Sequence, residues 1–518
     1  MTRPVFALLP LDDRPPNLQF PRRLAAVADL DLRLPPSRLL GRFLRPGDPQ
    51  TLWQWLEEAA RDASAAIVSA DMLAYGGLIA SRTTDVSRRQ AVGRVLRLRR
   101  LKRRRPHLRV YAFAVIPRLG LTISSPRLAQ LGPALARYQE LQARGQLGAQ
   151  DAQELARLRD VVPSDLIVQH TEMRERNLAV NKKLIALLAE GALDFLVLAQ
   201  EDAPPSGPHI QEQAELRAEA TTLGVAHLAP IFPGADEQGM VLLARAAGEA
   251  LGAAAAIYPL FSIPGGAEAV ALFEDRPLSM TVAGQIGAAG LAVAPTEEDA
   301  DMLLAVHCPP SAAQADVNHI TPASAPPPPF VEHLAGLARS GRDVAVADVA
   351  YCNGADPALV SALAAHRALP LMAGFAAWNT AGNAIGSALA QAALRRLARA
   401  ARSRRSDRAD GGTTRAQVEF LFERLVDDYA YQTMVRRQAY RFARDSLGQF
   451  PLHLRRGRRQ AAQYVRAALE PRARRLFAEQ FVGAELDGQR IAELRDLRIS
   501  LPWPRLFEVE VESRIALE

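Results

Sequence analysis

The chain has 518 residues, 49% of them hydrophobic and 23% charged, with a formal net charge of +7. This length allows two or three domains, and the composition is that of an ordinary globular protein. The two cysteines lie far apart and lack metal-ligand spacing, so no disulfide framework or zinc site is expected. The first residues do not form a signal peptide, and no apolar run reaches the roughly 18 residues of a membrane span. We therefore expect a cytoplasmic protein with no membrane partner.

Three arginine-rich runs, at 94–105, 395–408 and 455–459, carry the positive charge, and the rest of the chain is net acidic. In the first run, Val95, Leu98 and Leu101 recur at helical spacing with the arginines between them. This pattern is typical of a solvated helix face, with a phosphate-binding patch as the alternative. No aromatic residues interleave to stack on bases, so no nucleic-acid partner is expected.

Short apolar runs alternate with helical stretches from the first residues onward. The predicted strands are 5–9, 30–34, 65–70, 109–116, 194–199 and 227–232, followed by others near 256–262, 302–307, 343–349 and 369–375. Periodic helical segments such as "QTLWQWLEEAARD" lie between them, and 125–159 reads as a helical insertion. This alternation predicts parallel β-strands joined by crossover helices.

The fold class is therefore α/β, with a (β/α) TIM-barrel-like core and extra strands, because a barrel gathers all its strand ends at one mouth. The alternative is two doubly wound lobes that divide near residue 255. We expect an α/β catalytic core over 1–400, a flexible linker at 401–414, and a mainly helical C-terminal domain over 415–518.

The C-terminal domain is expected to pack beside the mouth or to form a homodimer contact. Its residues 415–500 read as almost wholly helical, and "LFEVEVE" near the end reads as a lone strand. Asp427 and Asp428 lie on an amphipathic helix that is expected to expose them to solvent or to lean over the site. The proline-rich 322–330 segment predicts a surface loop.

Polar residues follow seven of the predicted strands at their carboxyl ends, which is where parallel α/β folds bind ligands. These residues are Asp12, Asp13, Arg14 and Asn17; Asp71, Tyr75, Gly76, Gly77 and Arg82; Arg118; Glu201 and Asp202; Asp236 and Glu237; Asp348, Asn353 and Asp356; and Trp378, Asn379 and Asn383.

Each element of this pattern has a purely structural alternative. Asp12 and Asp13 are ordinary caps for a following helix, Gly76 and Gly77 suit a tight turn, and Trp378 suits a core. "YGGL" is not a phosphate-binding fingerprint, no G-x-S-x-G nucleophile elbow occurs, and the histidines lack ligand spacing. No metal ligand or cofactor is assigned, although carboxylates alone can bind Mg²⁺ or Mn²⁺.

The motifs "PLDDRPPN", "SADMLAYGGLIASR", "QEDAPPSG", "PGADEQG", "DVAYCNGAD" and "WNTAGN" occur in that order. Together they resemble the bacterial family catalogued as domain of unknown function 4127. The resemblance covers roughly residues 4–390 and weakens in the helical tail. It implies a bacterial cytoplasmic protein but no activity. Members of the family more often carry two aspartates where this chain has Glu201 and Asp202.

The first functional hypothesis is a carboxylate-dependent glycoside hydrolase acting on a cytoplasmic oligosaccharide, imported or modified, or on a cell-wall fragment. Such enzymes use a pair of carboxyl groups. We expect Asp202 to pair with Asp71 or Asp236, which follow the most apolar strands, with Glu201 and Glu237 as further catalytic candidates. The remaining strand-end residues are expected to bind the small polar substrate.

Two other hypotheses remain open. One is a divalent-metal-dependent hydrolase or transferase acting on a phosphorylated small molecule. The other is a non-catalytic protein that binds or senses a small polar metabolite.

Overall fold

A first parallel sheet occupies the N-terminal half of the chain. The structure, a computed structural model, describes residues 3–202, 204–309, 314–317, 326–405 and 411–518. The strands of the first sheet are β1 (Val5–Leu9), β2 (Asp31–Arg33), β3 (Ala65–Ser69), β4 (Arg109–Ile116), β5 (Phe195–Gln200) and β6 (Ile231–Pro233). Their spatial order is β2-β1-β3-β4-β5-β6, and every neighbouring pair is parallel.

A second parallel sheet follows between residues 256 and 376. Its strands are β7 (Ala256–Phe261), β8 (Ala292–Val293), β9 (Met302–His307), β10 (Asp343–Asp348) and β11 (Gly374–Ala376), in the order β8-β7-β9-β10-β11. The first five strands of the first sheet have this same order. The winding direction therefore reverses between β1 and β3 in the first sheet and between β7 and β9 in the second. Doubly wound folds bind ligands at such points.

The TIM-barrel-like core expected from the sequence is not confirmed, since no closed barrel occurs among the described residues. Both sheets are open because their outermost strands, β2 and β6 in one and β8 and β11 in the other, each pair on one side only. The prediction of parallel strands with crossover helices is confirmed. The chain passes from the first sheet to the second between Leu251 and Ala256.

Helices cover both faces of each sheet. Those up to the second sheet are Gln19–Val27, Pro49–Ala59, Ala70–Tyr75, Leu78–Ser81, Arg88–Val95, Arg97–Arg104, Pro126–Gln142, Ala149–Val161, Ser164–Ala189, Pro208–Thr222 and Gln238–Leu251. Those that follow are Leu278–Ala288, Pro328–Arg339, Pro357–Ala365, Ala381–Arg405, Gly411–Arg424, Arg436–Arg441 and Arg458–Gln480, with π-helices at Leu425–Val435 and Phe442–Ser446.

The two sheets share one apolar core. Phe6 and Leu8 of β1 and Leu304 of β9 belong to the same buried cluster as residues of the helices Gln238–Leu251 and Ala381–Arg405. Alternate residues of β1 face away from that core, so Leu9 packs with the helices on the outer face of the first sheet. A layer of helices thus separates the two sheets and holds them in fixed relation.

The C-terminal region is less helical than expected. Gln489–Ser500 is a long β-strand that pairs with both Glu485–Leu486 and Glu510–Leu517 in an antiparallel sheet. Ile491, Leu494 and Leu497 recur every third residue, which suits a helix. Register shifts in the pairing at 491–493 and 494–496 let the strand direct these side chains to one face. The predicted lone strand is therefore one member of this sheet.

Two predicted loops fall partly outside the described residues. Of the 401–414 linker, 401–405 and 411–414 are helical and 406–410 lie outside the described residues. Of the 322–330 loop, 322–325 lie outside them, and Pro328 begins a helix, because proline is tolerated in the first turn. In the described part of the chain, no helix is long and apolar enough to cross a membrane.

Candidate functional site

Arg14 links two distant points of the carboxyl edge of the first sheet. Its guanidinium donates to Asp12 Oδ2 (Nε, 2.8 Å) and to Asp236 Oδ2 (Nη1, 3.1 Å). The Asn17 amide donates to Asp12 Oδ1 and Asp236 Oδ1 at 2.9 and 3.0 Å. All four residues are buried. Because β1 and β6 are not neighbours in the sheet, these contacts join two separated parts of its carboxyl edge.

This arrangement is an internal charge network. Burial raises the pKa of Asp236, against the opposing effect of Arg14, and the neighbouring Asp12 carboxylate raises it further. The same two carboxylates raise the pKa of the Arg14 guanidinium although burial lowers it. Every charged group here is therefore held in place by the others.

Asp13 points the other way, toward the C-terminal region. Its Oδ1 accepts a hydrogen bond from Trp503 Nε1 at 2.6 Å, and the Trp503 ring centroid lies 5.0 Å from the Arg14 guanidinium carbon. Burial raises the pKa of Asp13 to about 6, against the lowering effect of the indole hydrogen bond. Asp13 is partly exposed, whereas Trp503 is buried. Trp503 was not predicted as a site residue, because it follows no apolar strand.

Glu201 and Asp202, after β5, each face an arginine. Glu201 forms an ion pair with Arg82, and its Oε2 accepts the Arg118 backbone N–H at 3.4 Å. Asp202 Oδ2 lies 3.3 Å from Arg118 Nη1. The Glu201 side chain is 6% exposed and that of Asp202 is 27% exposed. Asp202 is therefore the member of the pair that solvent or a ligand reaches.

The two neighbouring carboxyl groups differ in acidity. Burial raises the pKa of Glu201, but Arg82 and Arg118 outweigh it, so the pKa of Glu201 is lowered. Burial and the Glu201 charge together raise the pKa of Asp202, against Arg118 and Arg82. The arrangement therefore displaces the pKa values of the two adjacent carboxyl groups in opposite directions.

Asp71 and Tyr75 lie behind this pair. Asp71 Oδ2 accepts the Val115 backbone N–H at 2.9 Å, and burial raises the pKa of Asp71 to about 7, with a contribution from the Glu201 charge. The Tyr75 ring centroid is 4.3 Å from the guanidinium carbon of Arg176. Both residues are buried, so they form the inner wall of the site.

The glycine pair makes the turn after Tyr75. Gly76 has a φ of +92°, and a Cβ at this position would lie 2.4 Å from the Gly47 carbonyl oxygen. The Gly77 N–H donates to the Asp71 carbonyl at 3.3 Å. The turn conformation and the close backbone therefore explain glycine at position 76 without any contact to a ligand.

The second sheet contributes two asparagines in left-handed conformation. Asn353 (φ +63°) and Asn379 (φ +69°) are joined by a hydrogen bond from the Asn353 N–H to the Asn379 carbonyl at 2.8 Å. The Asn353 amide also donates to Asp316 Oδ2 at 2.6 Å. Burial raises the pKa of Cys352, next to Asn353, and the charges of Asp316 and of Asp202 raise it further. Asp202, which follows the first sheet, is therefore within electrostatic range of this turn of the second.

Asp348 and Asp356 support a turn at the same edge. Asp348 Oδ2 accepts the Asp356 N–H at 2.6 Å, and Asp356 Oδ1 caps the helix Pro357–Ala365 through the Ala358 N–H at 2.9 Å. Asp356 Oδ2 is 3.0 Å from His307 Nε2. Through these contacts both aspartates stabilise the turn at the edge of the second sheet.

Asn383 and Glu237 form hydrogen bonds between segments that follow the two sheets. The Asn383 side-chain oxygen accepts the Asp236 N–H at 3.2 Å. Glu237 Oε1 accepts a hydrogen bond from Gln285 Nε2 at 2.6 Å, and burial raises its pKa to about 7. Both side chains are buried away from Asp202, in the layer between the sheets.

Trp378 is buried, and its ring centroid lies 5.9 Å from that of Phe507. Its indole nitrogen has no hydrogen-bond partner among the residues that the structure describes. Trp378 therefore packs beside the partly exposed Phe507 and is itself covered.

Asp427 and Asp428 are buried, and the expectation of solvent exposure is wrong. Arg424 donates to Asp428 Oδ1 at 2.9 Å and to Asp427 Oδ2 at 3.2 Å. Asp428 Oδ2 in turn accepts the Ala377 N–H, at the end of β11, at 2.8 Å. Both aspartates lie in the π-helix Leu425–Val435, a helix type that is often found at functional sites. The helix does lean over the strand ends.

The candidate site residues fall into two groups. Asp12, Arg14, Asn17, Asp236 and Asn383 form a hydrogen-bonded network, whereas Asp13, Arg82, Arg118, Asp202, Asn353 and Asn379 are partly exposed. Within the described ranges, no group of three or more His, Cys, Asp or Glu side chains is arranged to hold a metal ion.

A family model described as a protein of unknown function (DUF4127) matches residues 6–512. The match extends through the C-terminal region that supplies Trp503, and so covers both parts of the site. No curated protein and no solved structure matches the chain.

Proposed function

Because the chain belongs to the DUF4127 family, whose description names no activity, we propose its function from its geometry: a carboxylate-dependent hydrolase of glycosidic bonds. The substrate of the proposed enzyme is a cytoplasmic oligosaccharide, imported or modified, or a cell-wall fragment.

One observation carries the proposal, namely the opposite displacement of two neighbouring carboxyl pKa values. Glu201 is held ionised by Arg82 and Arg118, while Asp202 is pushed toward its protonated form. Two carboxyl groups driven apart in this way can act as a general acid and an ionised carboxylate at the same pH. Glycoside hydrolysis uses such a pair.

Asp71 and Asp236 are less suited to this role. Asp71 is buried and already accepts a backbone N–H, and Asp236 is bound to Arg14 and Asn17. The Asp202 side chain is 27% exposed, whereas Asp71 and Asp236 are buried. We therefore pair Asp202 with Glu201 in the proposal.

In the proposed reaction, Asp202 gives its proton to the leaving glycosidic oxygen as the bond to the anomeric carbon breaks. The ionised Glu201 stabilises the positive charge that develops on the sugar ring. A water oxygen then bonds to the anomeric carbon, and the proton that it loses goes to the Asp202 carboxylate, which restores the acid. Arg118 orients Asp202 through its 3.3 Å contact. Asn353, across the opening, offers an amide to the sugar hydroxyl groups.

The test is hydrolysis of a panel of aryl glycosides, neutral and acidic, by the purified full-length protein. We expect Asp202→Asn to lower kcat by about 10²–10⁴-fold, the usual contribution of a positioned proton donor. Asp160→Asn, on an exposed helical position far along the chain from the site, is the matched control. Equal thermal melting of both variants would establish that folding is intact.

Wild-type protein that hydrolyses none of these glycosides, or Asp202→Asn protein with full activity, would contradict the proposal. Activity that disappears with a chelator and returns with Mg²⁺ would instead favour a metal-dependent hydrolase.

A further inference from the structure

A cavity of about 540 Å³ lies beside the candidate site. One wall is the start of the helix Pro126–Gln142, with Ser124 and Ser125 before it. The opposite wall is the segment 448–456, which contributes Gln449, His453, Arg455 and Arg456. The His453 ring nitrogen Nδ1 lies 3.0 Å from the Ser124 carbonyl oxygen, so the two walls are in direct contact at one end.

The cavity adjoins the Arg82–Glu201–Arg118–Asp202 group through the loop before Ser124. Arg82 Nη1 donates to Thr122 Oγ1 at 3.0 Å, and Arg118 Nη2 donates to the Leu121 carbonyl at 2.7 Å. Thr122 is two residues from Ser124. The arginines that set the acidity of Glu201 and Asp202 therefore also fix the loop that forms the cavity wall.

A second connection runs through aromatic rings to Asp13. The His453 ring centroid is 5.2 Å from that of Phe43, which is 5.4 Å from that of Trp503. Trp503 in turn donates to Asp13. Packed aromatic side chains therefore connect the wall of the cavity to Asp13.

The lining of the cavity is positively charged. Arg455 and Arg456 are exposed, and within the described part of the chain neither guanidinium forms an ion pair or a hydrogen bond. The guanidinium of nearby Arg458, in contrast, donates to the Leu501 carbonyl, and that of Arg42 to the Pro502 carbonyl. No Asp or Glu is among the described residues that line the cavity. Two free guanidinium groups with no competing carboxylate favour an oxyanion that accepts several hydrogen bonds at once.

We propose that this cavity binds a phosphoryl group carried by the substrate, so that the glycoside cleaved at Asp202 is a phosphorylated one. Binding of a phosphoryl group in the cavity is independent of the proposed function, because it needs no turnover. The assignment of that group to the glycoside cleaved at Asp202 rests on the proposed function. The hydroxyl groups of Ser124 and Ser125 supply further donors to the oxygens of the phosphoryl group.

The first experiment measures binding of inorganic phosphate to the full-length protein by calorimetry at constant ionic strength, with chloride as the reference anion. We expect the Arg455→Gln/Arg456→Gln variant to bind phosphate at least about tenfold more weakly, because two charge-assisted contacts are lost. Arg88→Gln/Arg89→Gln, which changes two adjacent exposed arginines elsewhere, is the matched control and is expected to bind like the wild type. Absence of phosphate binding by the wild type, or equal binding by both double variants, would overturn the inference.

The second experiment compares aryl glycosides with and without a 6-phosphate. We expect the cavity variant to raise KM for the phosphorylated substrate alone, and inorganic phosphate to compete with that substrate only. Equal KM changes for both substrates would overturn the assignment of the phosphoryl group to the substrate. If phosphate binding depends on Arg455 and Arg456 but no glycoside is hydrolysed, the anion site is supported and the proposed hydrolase function is contradicted.

Discussion

Replacing Arg14 with methionine tests whether the buried charge network stabilises the fold electrostatically. Methionine keeps much of the side-chain volume but removes the only cation hydrogen-bonded to both Asp12 and Asp236 in the described structure. Removing one partner of a buried ion pair costs about 3–5 kcal/mol. Because two carboxylates face one guanidinium, we expect Arg14→Met to lower the free energy of unfolding by about 4 kcal/mol, within that range.

The corresponding shift in melting temperature follows from the size of the chain. Unfolding entropy is about 2.1 cal/mol/K per residue, or about 1.1 kcal/mol/K for a chain of this length that melts as one unit. A loss of about 4 kcal/mol then lowers Tm by about 4 °C. Arg22→Met, at an exposed position of the helix Gln19–Val27, is the control and is expected to leave Tm nearly unchanged.

The pH dependence distinguishes charge from volume. Arg14 opposes the raised pKa of Asp236, so its removal raises that pKa further. A carboxyl whose folded pKa exceeds its unfolded value costs stability as pH rises above the unfolded pKa, which is about 3.9 for aspartate. The deficit in Tm measured by calorimetry should therefore be largest near pH 7 and shrink toward about pH 4.5.

Adding Asp236→Asn to Arg14→Met removes one of the two unpaired charges, and we expect it to restore about half of the lost Tm at pH 7. A deficit that is the same at both pH values, with no recovery in the double variant, would refute the electrostatic explanation.

Two further predictions concern the turn and the carboxyl at the opening. Gly76→Ala forces a Cβ to within 2.4 Å of the Gly47 carbonyl oxygen at a φ of +92°, and we expect a loss of about 2 kcal/mol or more by thermal melting. The matched Gly93→Ala, in a helix with open space around the new Cβ, is expected to stabilise by up to about 1 kcal/mol, and equal stabilities for both variants would contradict the argument. Trp503→Phe removes the indole donor to Asp13, so the pKa of Asp13 should rise above about 6 in carboxyl ¹³C NMR titrations; an unchanged midpoint would show that the hydrogen bond has no effect.

Strands were predictable where burial on both faces produces a continuous apolar run. The runs at 5–9, 109–116 and 302–307 are strands with those same bounds. The run predicted as 227–232 begins with a 3-10 turn, and its strand is only Ile231–Pro233. The two-residue edge strand Ala292–Val293 carries no pattern of its own and was missed.

Closure of the sheet was not predictable, because strand periodicity does not say which strands pair. The preference for a barrel, which the structure does not confirm, came from the need to gather the strand ends. In the open sheet, the strand ends of β1 and β6 are joined instead by the side-chain contact between Arg14 and Asp236. That contact joins residues 222 positions apart and has no local signal.

The expectation that carboxyl ends of parallel strands share an edge placed Asp12, Arg14 and Asp236 on one rim. In the structure Arg14 donates hydrogen bonds to both aspartates. The same expectation missed Trp503 and Arg424, which come from a C-terminal loop and a helix and follow no strand. It also gave no information on acidity. The opposite shifts of Glu201 and Asp202 depend on Arg82 and Arg118, which lie far away in sequence.

The position of the helix Ala381–Arg405 in the sequence affects how the chain folds during translation. It lies in the layer between the two sheets, yet it follows both of them in sequence. The last helix before the second sheet ends at Leu251, and Ala381 emerges from the ribosome 130 residues later. At about 5–20 residues per second this interval lasts on the order of ten seconds. During it, the apolar surface of Gln238–Leu251 that Ala381–Arg405 will cover has no permanent neighbour. Nascent chains stalled before residue 381 should therefore associate with holdase chaperones, and those extended past residue 405 should be released.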